Sequence, residues 1–327
     1  MTNPVLVIST RANLTESVYR GAYCVVNEQN EIIDQAGDIH TPVFPRSALK
    51  FFQVIPLLAA GGKEYFDFTD EEIAVMCASH NAEQRHIVVI HSIMQKAELN
   101  EKMLQCGFHP PYREEDSRIF FAEHKKPSPV YNNCSGKHVG FLAYCKLKGY
   151  STENYLDIGH PLQQEIKNCI AAFAETEPDQ LHIGIDGCSA PNFALSLFNL
   201  AVAFKNLSTP HRVNSRWSES TRQVIRSIIN YPFMVGGTDR FCTELTENLG
   251  EQVIGKTGAE GVYGMTFHAK KLGAAVKTDD GKMGPQYFIA YDLVKKHTGC
   301  SHPLLQKYVS APITNWSGKT TGYIQKI

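Results

Sequence analysis

Phe44-Pro45-Arg46-Ser47-Ala48-Leu49-Lys50-Phe51-Phe52-Gln53 sets a hydroxyl and an amine three residues apart. Pro45 breaks the extended segment before it, and Arg46 or Ser47 can cap a helix that begins at Ala48-Leu49. The apolar run continues through Ile55-Pro56-Leu57-Leu58-Ala59-Ala60 and stops at Gly61-Gly62. On a helix, residues i and i+3 share a face, with Cβ atoms about 5–6 Å apart. Ser47 Oγ can then meet the Lys50 amine. A buried lysine, disfavoured as an ammonium by desolvation, can take a serine proton. A cap serine followed by a solvated lysine would put the same two letters here. Leu49 and Phe51-Phe52 around Lys50 speak against a solvated face.

To either side the chain changes character. Before the tetrad, Val5-Leu6-Val7-Ile8-Ser9-Thr10 reads as a buried strand, residues 17–26 alternate, and residues 32–38 follow a polar turn. These predict three strands in an antiparallel meander. After it, Thr69-Asp70-Glu71-Glu72 predicts a capping box opening a helix to about Cys77. A second helix is expected over 82–99 and a Pro- and charge-rich loop over 106–130. Further helices are expected over 136–148, 160–176, 192–206, 217–230 and 239–249. Strands return at 252–256, 261–269 and 272–277, then a helix at 285–297, and Ile324-Gln325 is placed to close the sheet.

Three short strands need partners to bury a face. The expected fold is therefore α/β. An antiparallel sheet is built from both chain ends, about 1–45 and 250–327, with a helical region inserted over about 46–249. We read 1–327 as a single catalytic domain.

Composition narrows the function classes. The 327 residues are 43% apolar and 20% charged, which is ordinary globular material. A net charge of -1 gives no electrostatic reason for nucleic acid or an anionic membrane surface as partner. No apolar run is long enough to span a bilayer, and Met1-Thr2-Asn3-Pro4 lacks the features of an export signal. Nine cysteines without framework spacing fit a reduced, cytoplasmic protein.

The chain holds one Ser-x-x-Lys, at Ser47–Lys50, and one Lys-Thr-Gly, at Lys256-Thr257-Gly258, directly after a strand-like segment. Between them lies Ser79-His80-Asn81. The order is the signature of serine β-lactamases and penicillin-binding proteins, although the middle box lies closer to the first than that fold would suggest. A Lys-x-Gly strand edge supplies a cation and open backbone, and Gly258 would let a substrate approach closely. Polar residues also bunch where helices should begin, at 77–84, at 131–138 and at 185–192, and such termini can hold anions or oxyanions.

Taken together, Phe-Pro-Arg-Ser-Ala-x-Lys (44–50), Cys-Ala-Ser-His (77–80) with Glu83 and His86, Asn-Asn-Cys-Ser-Gly-Lys-His-x-Gly (132–140) and Asp-Gly-Cys (186–188) resemble the rhizobial-type L-asparaginases. This is the class 3, or asparaginase II, family. Gly236-Gly237-Thr238-x-Arg240 and the 256–262 segment fit too, so the resemblance covers roughly residues 11–281. It implies hydrolysis of L-asparagine to L-aspartate and ammonia on a fold like that of serine β-lactamases and glutaminases. It also implies two Ser–Lys pairs, Ser47 with Lys50 and Ser79 with Lys256. Either serine is a candidate for acylation, with Ser47 attacking first in our reading and the second pair protonating the leaving ammonia. Substrate contacts are expected from Arg46, His80, Asn133, His138, Asp186 and Gly258.

A zinc ion held by Cys134, Lys137 and Cys188 is implied as well, with no organic cofactor, and a homodimer as the assembly. The chain departs from the family in three places. Ala82 stands where Gly is usual, Ser189-Ala190 replaces a Gly-apolar pair, and Tyr19 stands where His is expected. Other functions carried by the same letters are a glutaminase or another amidohydrolase, or a zinc-containing amide-binding protein without turnover.

Overall fold

The structure is a computed structural model and describes residues 2–327. The fold is mixed α/β, with an antiparallel sheet drawn from both ends of the chain. Two compact units divide it. One comprises residues 1–48, 195–208 and 244–327, and the other residues 49–194 and 209–243.

The strands are β1 (Val5–Arg11), β2 (Leu14–Val26), β3 (Ile32–Ala36), β4 (His182–Ile185), β5 (Pro191–Ala194), β6 (Val253–Thr257), β7 (Val262–Phe267), β8 (Leu272–Thr278), β9 (Ser310–Thr314) and β10 (Thr320–Lys326). The helices are α1 (Lys50–Ala59), α2 (Gly62–Phe66), α3 (Asp70–Met76), α4 (Gln84–Lys96), α5 (Glu114–Ala122), α6 (Ser135–Lys148), α7 (Pro161–Phe173), α8 (Leu197–Ser208), α9 (Ser215–Asn230), α10 (Pro232–Val235), α11 (Phe241–Leu249) and α12 (Pro285–Thr298).

In the first unit the strand order is β6-β7-β8-β2-β1-β10-β9, with β3 added on β2. The long β2 explains the arrangement. Its first half pairs with β1 and its second half with β8 and β3. The expected closing strand at Ile324-Gln325 is β10, paired antiparallel with β1. β6, β7 and β8 are buried almost throughout, because α8 and α12 pack on this part of the sheet. α8 sits so close that side chains on the sheet are excluded. A Cβ on Gly264 would lie 2.0 Å from the Phe204 ring, and one on Gly273 would lie 2.0 Å from Ala201 O. The helix expected over 192–206 is thus two elements. Residues 191–194 form β5, and the rest is α8, which packs on the sheet instead of joining the helical region.

The second unit is built on α1, whose residues 50–58 are all buried. α6, α7 and α9 pack against it, and α3 packs against α6 and α9. The Thr69 box forms as predicted. Thr69 Oγ1 accepts from Glu72 N at 3.2 Å, and Glu72 accepts from Thr69 N at 2.7 Å. The expected loop over 106–130 contains α5, and β4 and β5 make a separate two-stranded hairpin. Among the described residues no helix is long and apolar enough to cross a membrane.

Candidate active site

Lys50 is the first residue of α1 and its amine is buried, with the residue 1% exposed. Its Nζ lies 2.5 Å from Ala78 O, 3.0 Å from Ser79 Oγ and 3.4 Å from Asn133 O. Two carbonyls thus take two N–H bonds, and the third direction of the amine faces a hydroxyl. In the neutral form that direction is the lone pair, which is the geometry for accepting the Ser79 proton. The serine that the second unit sets on Lys50 is therefore Ser79, from the α3–α4 connection, 29 residues further along the chain. The expected pairing put Ser79 with Lys256.

Ser79 cannot sit in a helix. Ser79 N donates to Val235 O and Asn81 N to Gly236 O, both at 3.0 Å, while His80 N donates to Asn133 O at 3.3 Å. The segment is therefore extended, with alternate bonds to either side, and it ends at Ala82, where φ is +60°. An L-residue in this left-handed region costs about 1–2 kcal/mol. Ala82 thus holds a backbone conformation that glycine adopts without that penalty. Ala82→Gly is expected to raise stability by about 1 kcal/mol, which a denaturant melt checks. An unchanged or lower midpoint would show that the turn carries no strain.

His80 is fully buried, and both its ring nitrogens are engaged. Nδ1 accepts from Ala82 N at 3.1 Å, which leaves the ring proton on Nε2, 2.9 Å from Ser135 Oγ. Ser135 Oγ in turn donates to Val130 O at 2.7 Å. Burial, with help from His86 and Lys50, holds His80 well below the usual histidine range. A neutral ring with both nitrogens used has no polar atom left for substrate, so the expected contact from His80 gives way to a structural role. Asn133 likewise commits its backbone. Its N–H donates to His109 Nε2 at 2.9 Å, and its carbonyl takes His80 N and Lys50 Nζ. The sequence reading passed over His109. The only hint was a histidine beside Pro110-Pro111 in an otherwise charged loop.

The predicted ligand set comes together on α6 and the β4–β5 loop. Cys134 is the N-cap of α6 and Lys137 stands three residues on, so both share a face. Lys137 Nζ is 3.0 Å from Cys188 Sγ. Cys188 is drawn inward by a tight loop in which Asp186 N donates to Ala190 O and Ser189 N to Asp186 O, with Ser189 at φ +67°. The Cys134 thiol donates to Cys188, and with Lys137 and His138 nearby it holds Cys188 far below the usual thiol range. Cys134 is pushed up by the same bond and by burial. Burial works against the Lys137 ammonium, but Cys188, Cys134 and Asp186 outweigh it and raise the amine.

His138 is fully buried beside this cluster. Its Nδ1 lies 2.8 Å from Tyr155 OH, which also accepts from Gln105 N at 3.0 Å, and the ring hydrogen-bonds the Cys188 sulfur. Burial brings His138 down to about 4. Among the described residues no group of three or more His, Cys, Asp or Glu side chains converges on one point. The donors on offer are two sulfurs and one amine, a soft N/S set that suits zinc chemically once the amine is neutral.

The remaining expected residues belong to the first unit. Arg46 and Ser47 lie in a 3₁₀ turn, Arg46–Leu49, that runs directly into α1, with Arg46 at φ +53°. Lys256 is 1% exposed on β6, with Nζ 3.3 Å from Thr257 O. Gly258 donates its N–H to Val262 O at 2.9 Å, and a Cβ there would stand 2.1 Å from Pro45 O. The open backbone expected for a ligand is thus taken up by the chain itself. The same approach ties the Pro45–Ser47 turn to the end of β6, two residues from Lys256. Lys50 and Ser79 thus belong to the second unit, and the Ser47 turn and Lys256 to the first.

Hydrolysis of an amide defines the class to which this chain belongs. The family model described as L-asparaginase II matches residues 7–326, and the chain belongs to that family. No curated protein matches it. It is similar to the octameric penicillin-binding protein homologue from Pyrococcus abyssi, at 14% identity over 88% of this chain and 75% of that one, with TM-score 0.45. A β-lactamase from Mycobacterium bovis is 13% identical over 88% of this chain and 94% of that one, with TM-score 0.42. Mglu in its native form is 11% identical over 86% of this chain, which spans 64% of that one, with TM-score 0.39.

Proposed function

We propose that this protein hydrolyses L-asparagine to L-aspartate and ammonia by acyl transfer to serine. The observation that carries the reading is the buried Lys50 amine on Ser79 Oγ, in a chain of the L-asparaginase II family. Lys50 is the base. Two hydroxyls are offered to it, Ser79 by contact and Ser47 by its place three residues before. Ser47 attacks the side-chain amide carbon in this reading, and Ser79 is the alternative nucleophile. Lys256 is the second amine, which returns a proton to the leaving ammonia, and water then cleaves the aspartyl ester.

Arg46 and Asp186 are assigned to the substrate's charged ends. Asn133 and His138 act from behind, holding the Lys50 and Cys188 surroundings in place. Cys134, Lys137 and Cys188 would hold zinc, which when bound supplies a Lewis-acid contact that orients substrate. The nine cysteines are all free among the described residues, which supports a reducing, cytoplasmic setting. A homodimer is the assembly we assign.

The test is ammonia release from asparagine and from glutamine, on protein of measured zinc content, before and after a chelator. The reading expects turnover of asparagine in clear preference to glutamine and about one zinc per chain. No ammonia from asparagine with zinc-replete protein would sink it. Turnover of glutamine alone would move the protein to the glutaminase reading.

A further inference from the structure

The α3–α4 segment that carries Ser79 is held by a second segment, Val235-Gly236-Gly237-Thr238, in which Gly237 N donates to Thr243 Oγ1 at 3.1 Å and Thr238 is held by a carboxylate. Glu83 Oε1 accepts from Thr238 N at 2.8 Å, and Glu83 Oε2 accepts from Thr238 Oγ1 at 2.6 Å. Asn81 Nδ2 donates to Thr238 O at 2.9 Å, and Arg240 Nη1 donates to Asn81 Oδ1 at 3.1 Å. In return the loop supplies the Val235 and Gly236 carbonyls that accept from Ser79 N and Asn81 N. Backbone conformation is fitted to the carboxylate. Gly237 has φ +106°, and a Cβ there would lie 2.3 Å from Glu83 Oε1. Glu83 itself is at the N-cap position of α4, yet its side chain makes no cap bond. A helix cap is therefore not what the carboxylate is for.

We propose that Glu83 is a positioning residue for Ser79, locking the Val235–Thr238 segment, whose Val235 and Gly236 carbonyls accept from Ser79 N and Asn81 N and so fix the serine's backbone opposite Lys50. The chain of bonds is short and physical. Glu83 orders Thr238, the loop orders Ser79 N–H, and Ser79 Oγ then meets the Lys50 amine. A serine displaced by a fraction of an ångström loses alignment with its base, and misplacement by about 1 Å lowers turnover by about two orders of magnitude. Binding of substrate by other groups is left untouched, so the effect falls on turnover and not on KM. The turnover half of this inference rests on the asparaginase reading. The loop-locking half does not.

The experiment compares Glu83→Ala and Glu83→Gln with the wild type in the full chain. It uses two readouts, asparagine kinetics and amide hydrogen exchange of peptides covering 77–83 and 235–240. Glu83→Ala is expected to lower kcat at least about tenfold with KM within about threefold. It is also expected to accelerate exchange in both peptides while the α1 and α6 peptides stay protected. Glu83→Gln keeps an oxygen for Thr238 N–H, so it is expected to restore most of both. If asparagine proves not to be the substrate, exchange still reads the lock. Unchanged exchange in Glu83→Ala overturns the proposal. A glutamine variant as damaged as the alanine variant in kcat, with normal exchange, overturns it too and makes Glu83 a proton carrier.

Discussion

Lys50→Met loses about three orders of magnitude in asparagine turnover while the protein stays folded. Methionine matches the length and volume of the lysine stem, so the apolar packing of α1 around position 50 is kept. Only the amine goes. With it goes the group 3.0 Å from Ser79 Oγ, and a serine hydroxyl without a base is a weak nucleophile. General-base assistance alone contributes about 10²–10⁴-fold, and Lys50 is the amine in reach of both candidate serines by contact or by spacing. The stability change is modest. Asn133 O keeps the His80 N–H, and Ala78 O loses the amine, which costs about 1–3 kcal/mol. Steady-state ammonia release and a thermal melt on the same preparation separate the two. A variant that melts normally and keeps more than about a tenth of wild-type turnover rules out Lys50 as the base.

How far the sequence carried can be judged from particular residues. The Thr69–Glu72 box was legible because reciprocal capping needs only four residues in a row, all of them local. The sheet from both ends was legible because β-rich segments at the two termini had no other partners. The site was legible as a list and not as an arrangement. Spacing alone put Ser47 with Lys50. The contact with Ser79 depends on how the α3–α4 connection lies against α1, and no local pattern encodes that. His80 was expected to contact substrate, and only its two bonds, to Ala82 N and Ser135 Oγ, show that both ring nitrogens are engaged. α5 was hidden by the proline-rich composition around it, although Glu114-Glu115-Asp116 is an acidic first turn, the usual mark of a helix start. β5 was missed because four buried residues ahead of a helix read as its first turn. Their partner strand β4 is separated from them only by the Cys188 loop, and its residues are mostly exposed.

Gly258→Ala should damage both stability and turnover, and its cause lies in the fold. The new Cβ would be built 2.1 Å from Pro45 O and 3.0 Å from the Val262 side chain. A flexible side-chain tip could turn away, but Pro45 O is backbone. It also accepts from Ala48 N at 3.1 Å, which closes the turn carrying Arg46 and Ser47. The turn must move or the end of β6 must. Overpacking of this kind costs about 1–3 kcal/mol, or roughly 1.5–4.5 °C of melting temperature for a chain of this size. Since the displaced turn carries Ser47 and the displaced strand end follows Lys256, turnover should fall by about 10–100-fold beyond what the loss of folded protein explains. The matched control is Gly159→Ala, where an added Cβ meets nothing within 4 Å, and it should leave both melting and turnover as they are. If Gly258→Ala melts lower but turns over asparagine normally at a temperature where it is fully folded, the Pro45–Gly258 contact holds the sheet unit together without positioning Ser47. The acylated serine must then be sought at Ser79.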